Sequence, residues 1–127
     1  MAKTKVSLRL VHPSLDLRAV ASAIGFPVIR IWTAGQPRET PRGNPLEGAQ
    51  KGSYCAFDIS APEGTIDEAV SIVHAALSKA AASQGILRSG EIEKSLYCTI
   101  IGSGEVIHVT ALQQLADWGI RLELDCS

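Results

Sequence analysis

Apolar and polar side chains alternate with period two over residues 4 to 12, Thr-Lys-Val-Ser-Leu-Arg-Leu-Val-His, which predicts a half-buried strand. The same alternation predicts strands over 28–34, 53–60, about 95–101 and 120–126, with a further short strand at 106–109. Between them the apolar spacing lengthens to that of helices. Leu17, Val20, Ala21 and Ile24 follow Asp16, a candidate cap, and stop at Gly25 and Pro27. Ile66, Ala69, Val70, Val73, Ala76, Leu77 and Ala80 trace the i, i+3, i+4, i+7 stripe of the longest helix. That helix opens on the capping box Thr65-Ile-Asp-Glu68 and is expected to end at Gln84-Gly85. Leu112, Leu115 and Ala116 form the apolar side of a third helix, opened by Thr110-Ala-Leu-Gln113 and closed by Gly119. Residues 86–94 fit a helical turn or the start of a strand, and Ala61-Pro-Glu-Gly64 and Gly102-Ser103-Gly104 read as turns. This order predicts an α+β fold: a two-layer, mostly antiparallel sheet of about five or six strands with three helices on one face.

Because successive strand residues point to opposite faces, parity divides the chain further. Leu8 with Leu10, Ile29 with Ile31, Cys55 with Phe57 and Ile59, Leu96 with Cys98 and Ile100, and Leu122 with Leu124 and Cys126 fall in the core register. Arg9, Arg30, Trp32, Tyr54, Tyr97 and Arg121 fall on the opposite one, where surface chemistry is to be sought. Cys55, Cys98 and Cys126 make an odd set, widely spaced and without a C-x-x-C pair. They read as reduced, buried thiols rather than as a disulfide framework or a zinc site.

One stretch breaks the periodic pattern. Residues 35–52 hold three prolines and four glycines with almost no apolar side chains, so they are expected to form a long loop of turns. With 127 residues, 46% of them hydrophobic and 20% charged, the chain is long enough for a proper core and is expected to be one domain spanning 1–127. Twelve basic residues against thirteen acidic ones give a formal charge of −1, so nucleic acid is not an expected partner. The N-terminal segment has no apolar leader and no stretch is long enough to span a membrane, which predicts a cytoplasmic protein without a membrane partner.

The strongest candidate surface is Trp32 with Arg30 and the following loop, which supplies Arg38 and Arg42. Arginine and tryptophan make planar, charge-assisted and stacking contacts, and a Pro/Gly-rich loop lets a ligand approach the backbone closely. Tyr54 and Tyr97 share the parity of Trp32, so the face is able to stack a ligand or pair with a second copy in a homodimer. The plainer alternative is that Trp32 packs under the loop while the arginines are solvated. His12, His74 and His108 show no metal-binding spacing and read as surface or packing residues. An acid/base pair of His12 with Asp16, or of His108 with Glu105, would need the fold to assemble it. No nucleophile elbow and no phosphate-binding loop is present, so no catalytic residue, cofactor or metal is assigned.

Ser7-Leu-Arg-Leu with His12-Pro13, Trp32-Thr-Ala-Gly35 and the closing Leu112-x-x-Leu115-Ala-Asp-Trp-Gly119-Ile-x-Leu-x-Leu-Asp125 together resemble an uncharacterised, mainly bacterial family of single-domain proteins, classed as a domain of unknown function. The resemblance runs over nearly the whole chain. It implies a small α+β fold and no activity, cofactor or site residue. The sequence is therefore read first as a binding module for a protein partner or a small anionic ligand. The rival is a small enzyme or ligand-binding protein holding an anionic metabolite through Arg30, Arg38, Arg42 and a histidine.

Overall fold

The computed structural model describes residues 4–80, 83–101 and 104–126. In chain order the elements are β1 (Lys5–His12), α1 (Arg18–Ile24), β2 (Val28–Trp32), β3 (Pro37–Glu39), β4 (Pro45–Ala49), β5 (Ser53–Ile59), α2 (Ile66–Lys79), α3 (Gln84–Leu87), β6 (Glu93–Ile100), α4 (Val109–Trp118) and β7 (Ile120–Cys126). A five-stranded sheet runs β2-β5-β1-β6-β7, and β3-β4 form a separate two-stranded ribbon. β1 lies in the middle, antiparallel to β5 and β6, while β7 is parallel to β6 and is reached through α4.

Register shows why alternate residues of β1 are apolar. Leu8 lies between Phe57 and Leu96, and Leu10 between Cys55 and Lys94. On this face the helices contribute Val20, Ala21 and Ile24 from α1, Ile66, Ala69, Val70, Val73 and Leu77 from α2, and Ala111, Leu115 and Trp118 from α4. The sheet and these helices share one hydrophobic core. The expected two-layer α+β architecture is thus the observed one, with the single-turn α3 added to the three predicted helices. Among the described residues, no helix is long and apolar enough to cross a membrane.

Local chemistry sets the ends of the helices. Gly25 closes α1 at φ 86°, and Gly119 closes α4 at φ 64°, left-handed conformations that cost glycine little. Thr65 caps α2 by accepting from Glu68 N at 3.2 Å, while the Glu68 side chain reaches Glu63 N rather than closing the box. α2 stops at Lys79, earlier than the Gln84-Gly85 end read from the sequence. The Gln84 side chain then donates to the carbonyl of Leu77 at 2.8 Å, satisfying one of the exposed last-turn oxygens.

Several other expectations are corrected. Residues 86–94 are neither wholly helical nor wholly extended: α3 ends at Leu87 and β6 begins at Glu93. Residues 106–109 are not a strand, and Thr110 does not cap α4, because this segment serves the helix starts instead. Glu105 accepts from the backbone N–H of Ile66 at the head of α2, and Asp67 from the backbone and ring nitrogens of His108 at the head of α4. The head of α2 thereby receives a carboxylate from the segment leading into α4, and the head of α4 one from the first turn of α2, where the unsatisfied amides favour negative charge. Gly102 and Ser103, read as a turn, lie outside the described residues. Ile29 is exposed rather than in the core, because the pairing of β2 with β5 slips between Val28 and Arg30. Cys126 is exposed too: the helical layer covers Ile120 at the start of β7 but not the strand's far end.

Candidate functional site

The face of the sheet turned away from the helices carries the side chains between the core positions. Register aligns Trp32, Tyr54, Val11 and Glu93 in one row, and Arg30, Ala56, Arg9, Ser95 and Arg121 in the next. Trp32 and Tyr54 stack across the β2–β5 ladder with centroids 4.6 Å apart and planes at 24°. Farther along, the Arg9 guanidinium lies 4.1 Å above the Tyr97 ring, and the Tyr97 hydroxyl donates to Asp125 at 2.9 Å. That bond holds the Tyr97 pKa above its ordinary value, since the neighbouring carboxylate disfavours a second negative charge. Among the described residues Arg9 Nε is buried without a hydrogen-bond partner.

The segment expected to be a loop of turns is a hairpin that prolongs the β2–β5 ladder. Gly35 N donates to Gln50 O at 2.9 Å and Gln50 N to Gln36 O at 2.8 Å, after which Pro37 pairs with Ala49 in the β3–β4 ribbon. Gly35 and Gly43 take φ of 87° and 84° at the two bends, which is what so many glycines in this stretch provide. The ribbon is bound at its base as well: Ala34 N donates to the Ser53 hydroxyl at 3.0 Å, and Thr33 N to the Gln36 side chain at 2.7 Å.

Where this arm leaves the sheet, two hollows flank Trp32. One, of about 560 Å³, is lined by Val11, Trp32, Tyr54, Arg38 and residues 48–53. The other, of about 790 Å³, is lined by Ile29, Arg30, Ile31, Trp32, Leu46, Gln50 and residues 36–41. Trp32, Arg38 and Gln50 belong to both walls, so Trp32 stands as a ridge between them. Arg38 is steadied by donating to Glu47 O at 3.3 Å across the ribbon. Trp32 is partly exposed beside the arm, not buried beneath it.

Four of the six candidate surface residues, Arg30, Trp32, Arg38 and Tyr54, thus come together around the ridge. Arg42 does not: it sits exposed near the hairpin turn and lines neither hollow. Tyr97 lies on the same face but is engaged by Arg9 and Asp125, two rows away from Trp32. Lys51 and Gln50 complete the walls, and no sequence signal singled them out because their placement depends on the hairpin.

The histidines lie elsewhere. His12 is buried, and its Nδ1 accepts from the backbone of Ser14 at 3.1 Å and Leu15 at 2.9 Å. Its Nε2 lies 3.3 Å from Glu91, not beside Asp16, which is bound to Arg18. His108 meets Asp67 rather than Glu105, and His74 meets Asp117 at 2.9 Å. Neither hollow around Trp32 is lined by a histidine, a cysteine or an aspartate. Among the described residues, no group of three or more His, Cys, Asp or Glu side chains is placed to hold a metal ion. The walls offer ring faces, aliphatic surface and guanidinium donors, a set suited to binding.

Comparison with protein-family models, curated proteins and solved structures gave no match to this chain. The functional reading rests on the site itself.

Proposed function

We propose that this chain is a small cytoplasmic binding module that grips a segment of a protein partner across the Trp32 ridge. The observation carrying this reading is that Trp32, stacked on Tyr54, divides two hollows while sharing Arg38 with both. An elongated ligand that crosses a ridge fills both sides, whereas a compact one fills a single side. Arg30, Arg38 and Lys51 outnumber Glu39 among the charged wall residues, so an apolar or aromatic side chain flanked by carboxylates is the complementary sequence. The two strands of the arm are joined at their base by backbone bonds, and Ala34 N donates to the Ser53 hydroxyl at the start of β5, which lowers the ordering entropy that binding would otherwise cost.

Selection from a random peptide display library tests the reading. The wild-type chain is expected to enrich peptides pairing an aromatic residue with acidic neighbours, and binding is expected to fall at least about tenfold in Trp32→Ala and in Arg38→Ala. Absence of enrichment, or enrichment retained by both folded variants, overturns it.

A second reading is favoured by the larger hollow, where Arg30 and Arg38 both line the wall: a small anionic ligand held there alone. It predicts thermal stabilisation by dicarboxylates or sugar phosphates that is lost in Arg30→Ala but kept in Tyr54→Ala. Arg42 and the histidines have no place in it, because none of them lines that hollow.

A further inference from the structure

We propose that a third hollow, between α3, the start of β6 and the end of α4, binds an oxyanion, the carboxylate or phosphate group of a small molecule, through Lys94 and Arg88. This hollow has a volume of about 310 Å³ and shares no residue with the two around Trp32.

Lys94 is the anomaly that leads there. Its strand register places it on the helix-covered face, opposite Leu10 and beside Ile120, where every other β6 residue of that parity is apolar. It is only 7% exposed. Its ammonium has three donors, of which one is used, to Leu87 O at 2.6 Å, and among the described residues no carboxylate pairs with it. Burial and the nearby Arg88 charge both lower its pKa, the direction expected of a cation that lacks a counter-ion. A methionine in this register would fill the same space without the desolvation penalty of a charge.

A second cation in the same wall, Arg88, has the matching chemistry. The Arg88 guanidinium carbon lies over the Trp118 ring, 3.7 Å from its centroid, and Arg88 donates to Asp117 O at 3.1 Å, which fixes its guanidinium beside the hollow. Among the described residues Trp118 Nε1 is buried without an acceptor, while other atoms of Trp118 line the hollow. The one carboxylate in the wall, Asp117, is engaged by His74 at 2.9 Å and stands 4.0 Å from Arg88 Nη1. A small oxyanion seated between Arg88 and Lys94 would neutralise the buried ammonium and take up unused donors, and Ser89 and Gly90 at its edge leave room for the rest of a small ligand.

The test is a titration of the full chain with sodium phosphate and, separately, sodium acetate, followed by amide and indole N–H resonances at fixed pH and ionic strength. The Trp118 indole and the Gly90 amide are expected to move along one saturating curve while the Trp32 indole stays fixed. Phosphate alone, acetate alone or both producing the curve identifies which oxyanion is taken. Lys94→Met and Arg88→Gln are each expected to weaken binding about tenfold or more. Lys94→Met is further expected to melt no lower than wild type without the anion, and to lose the thermal stabilisation the anion gives wild type. No saturable shift with either anion overturns the proposal, as does binding unchanged in folded Lys94→Met. A Lys94→Met variant that is destabilised while wild type ignores both anions assigns Lys94 to capping Leu87 and overturns it equally.

Discussion

On one face of the central strand Leu8 sits between Phe57 and Leu96, all three fully buried; on the other, one residue along, Arg9 sits between Ala56 and Ser95 and reaches over Tyr97. The two faces share backbone, hydrogen bonds and neighbours, and differ in what covers them. Four helices close the first. The second is left to planar rings and guanidinium groups that make their own contacts across the strands and extend, at the β2–β5 end, into the hairpin arm. Period-two alternation lets a single strand serve stability with half its side chains and recognition with the rest, and each half is open to separate change.

The sharpest way to break this comparison is to truncate neighbours on opposite faces of β5. Phe57 is fully buried and meets Phe26 edge-on at 6.3 Å, so Phe57→Ala is expected to cost about 3–5 kcal/mol of unfolding free energy. Tyr54→Ala removes a partly exposed ring and one stacked pair, an expected loss of about 1 kcal/mol. Urea denaturation of both variants checks this. Equal losses would mean that the open face is covered in solution, by a second copy or another partner.

Thiol chemistry sharpens the same contrast. Burial pushes the Cys55 thiol up to about 11, and burial together with Glu105 pushes Cys98 up to about 12, from an ordinary value of 9.0. Those shifts cut the reactive thiolate fraction by about a hundredfold and a thousandfold, with occlusion added. Iodoacetamide at about pH 8 is therefore expected to label native protein at Cys126 alone, and all three cysteines after guanidinium unfolding. Rapid labelling of Cys98 in the native state would show that the helical layer opens easily.

How far the sequence exposed these features follows from the range of the interactions behind them. Period-two and helical spacing are local, so β1, β5, β6, α2 and the two-face division were all legible. Caps were legible only in part where donor and acceptor are close in sequence: Thr65 caps at Glu68 N as read, whereas Thr110 and Gln113 form no cap. They were missed where the partner is distant, as with Glu105 at Ile66 and Asp67 at His108, separated by 39 and 41 positions. Cys126 had the right parity, but burial also depends on how far α4 extends over β7. The Trp32 neighbourhood was half legible: parity gave Trp32, Tyr54 and Arg30, while the hairpin that sets Arg38 on the walls of both hollows and leaves Arg42 at its turn is built from long-range backbone bonds in a stretch without periodicity. Lys94 shares the register of Leu96, Cys98 and Ile100, but the strand was read from about residue 95, which left this charge outside it.

The smallest effect concerns the seam between α2 and α4, on the covered side but near solvent. The backbone N–H of His108, followed by its ring, holds the Asp67 carboxyl below its ordinary value of 3.8. A folded-state pKa lowered relative to the unfolded chain stabilises the fold above that ordinary value, and the contribution is lost as pH falls through the lowered one. Because the Asp67 side chain is about a third exposed, solvent screening keeps its worth to about 0.5 kcal/mol or less. Asp67→Asn keeps an oxygen acceptor for His108 N but removes the charge. The stability gap between wild type and Asp67→Asn is thus expected to be constant from about pH 5 to 6 and to close as the solution is acidified towards about pH 2. A gap that persists unchanged in acid would assign the loss to altered hydrogen-bond geometry instead of charge. The Asp67–His108 contact would then be held by shape alone, leaving Glu105 on Ile66 N as the other carboxylate contact of this seam to be probed.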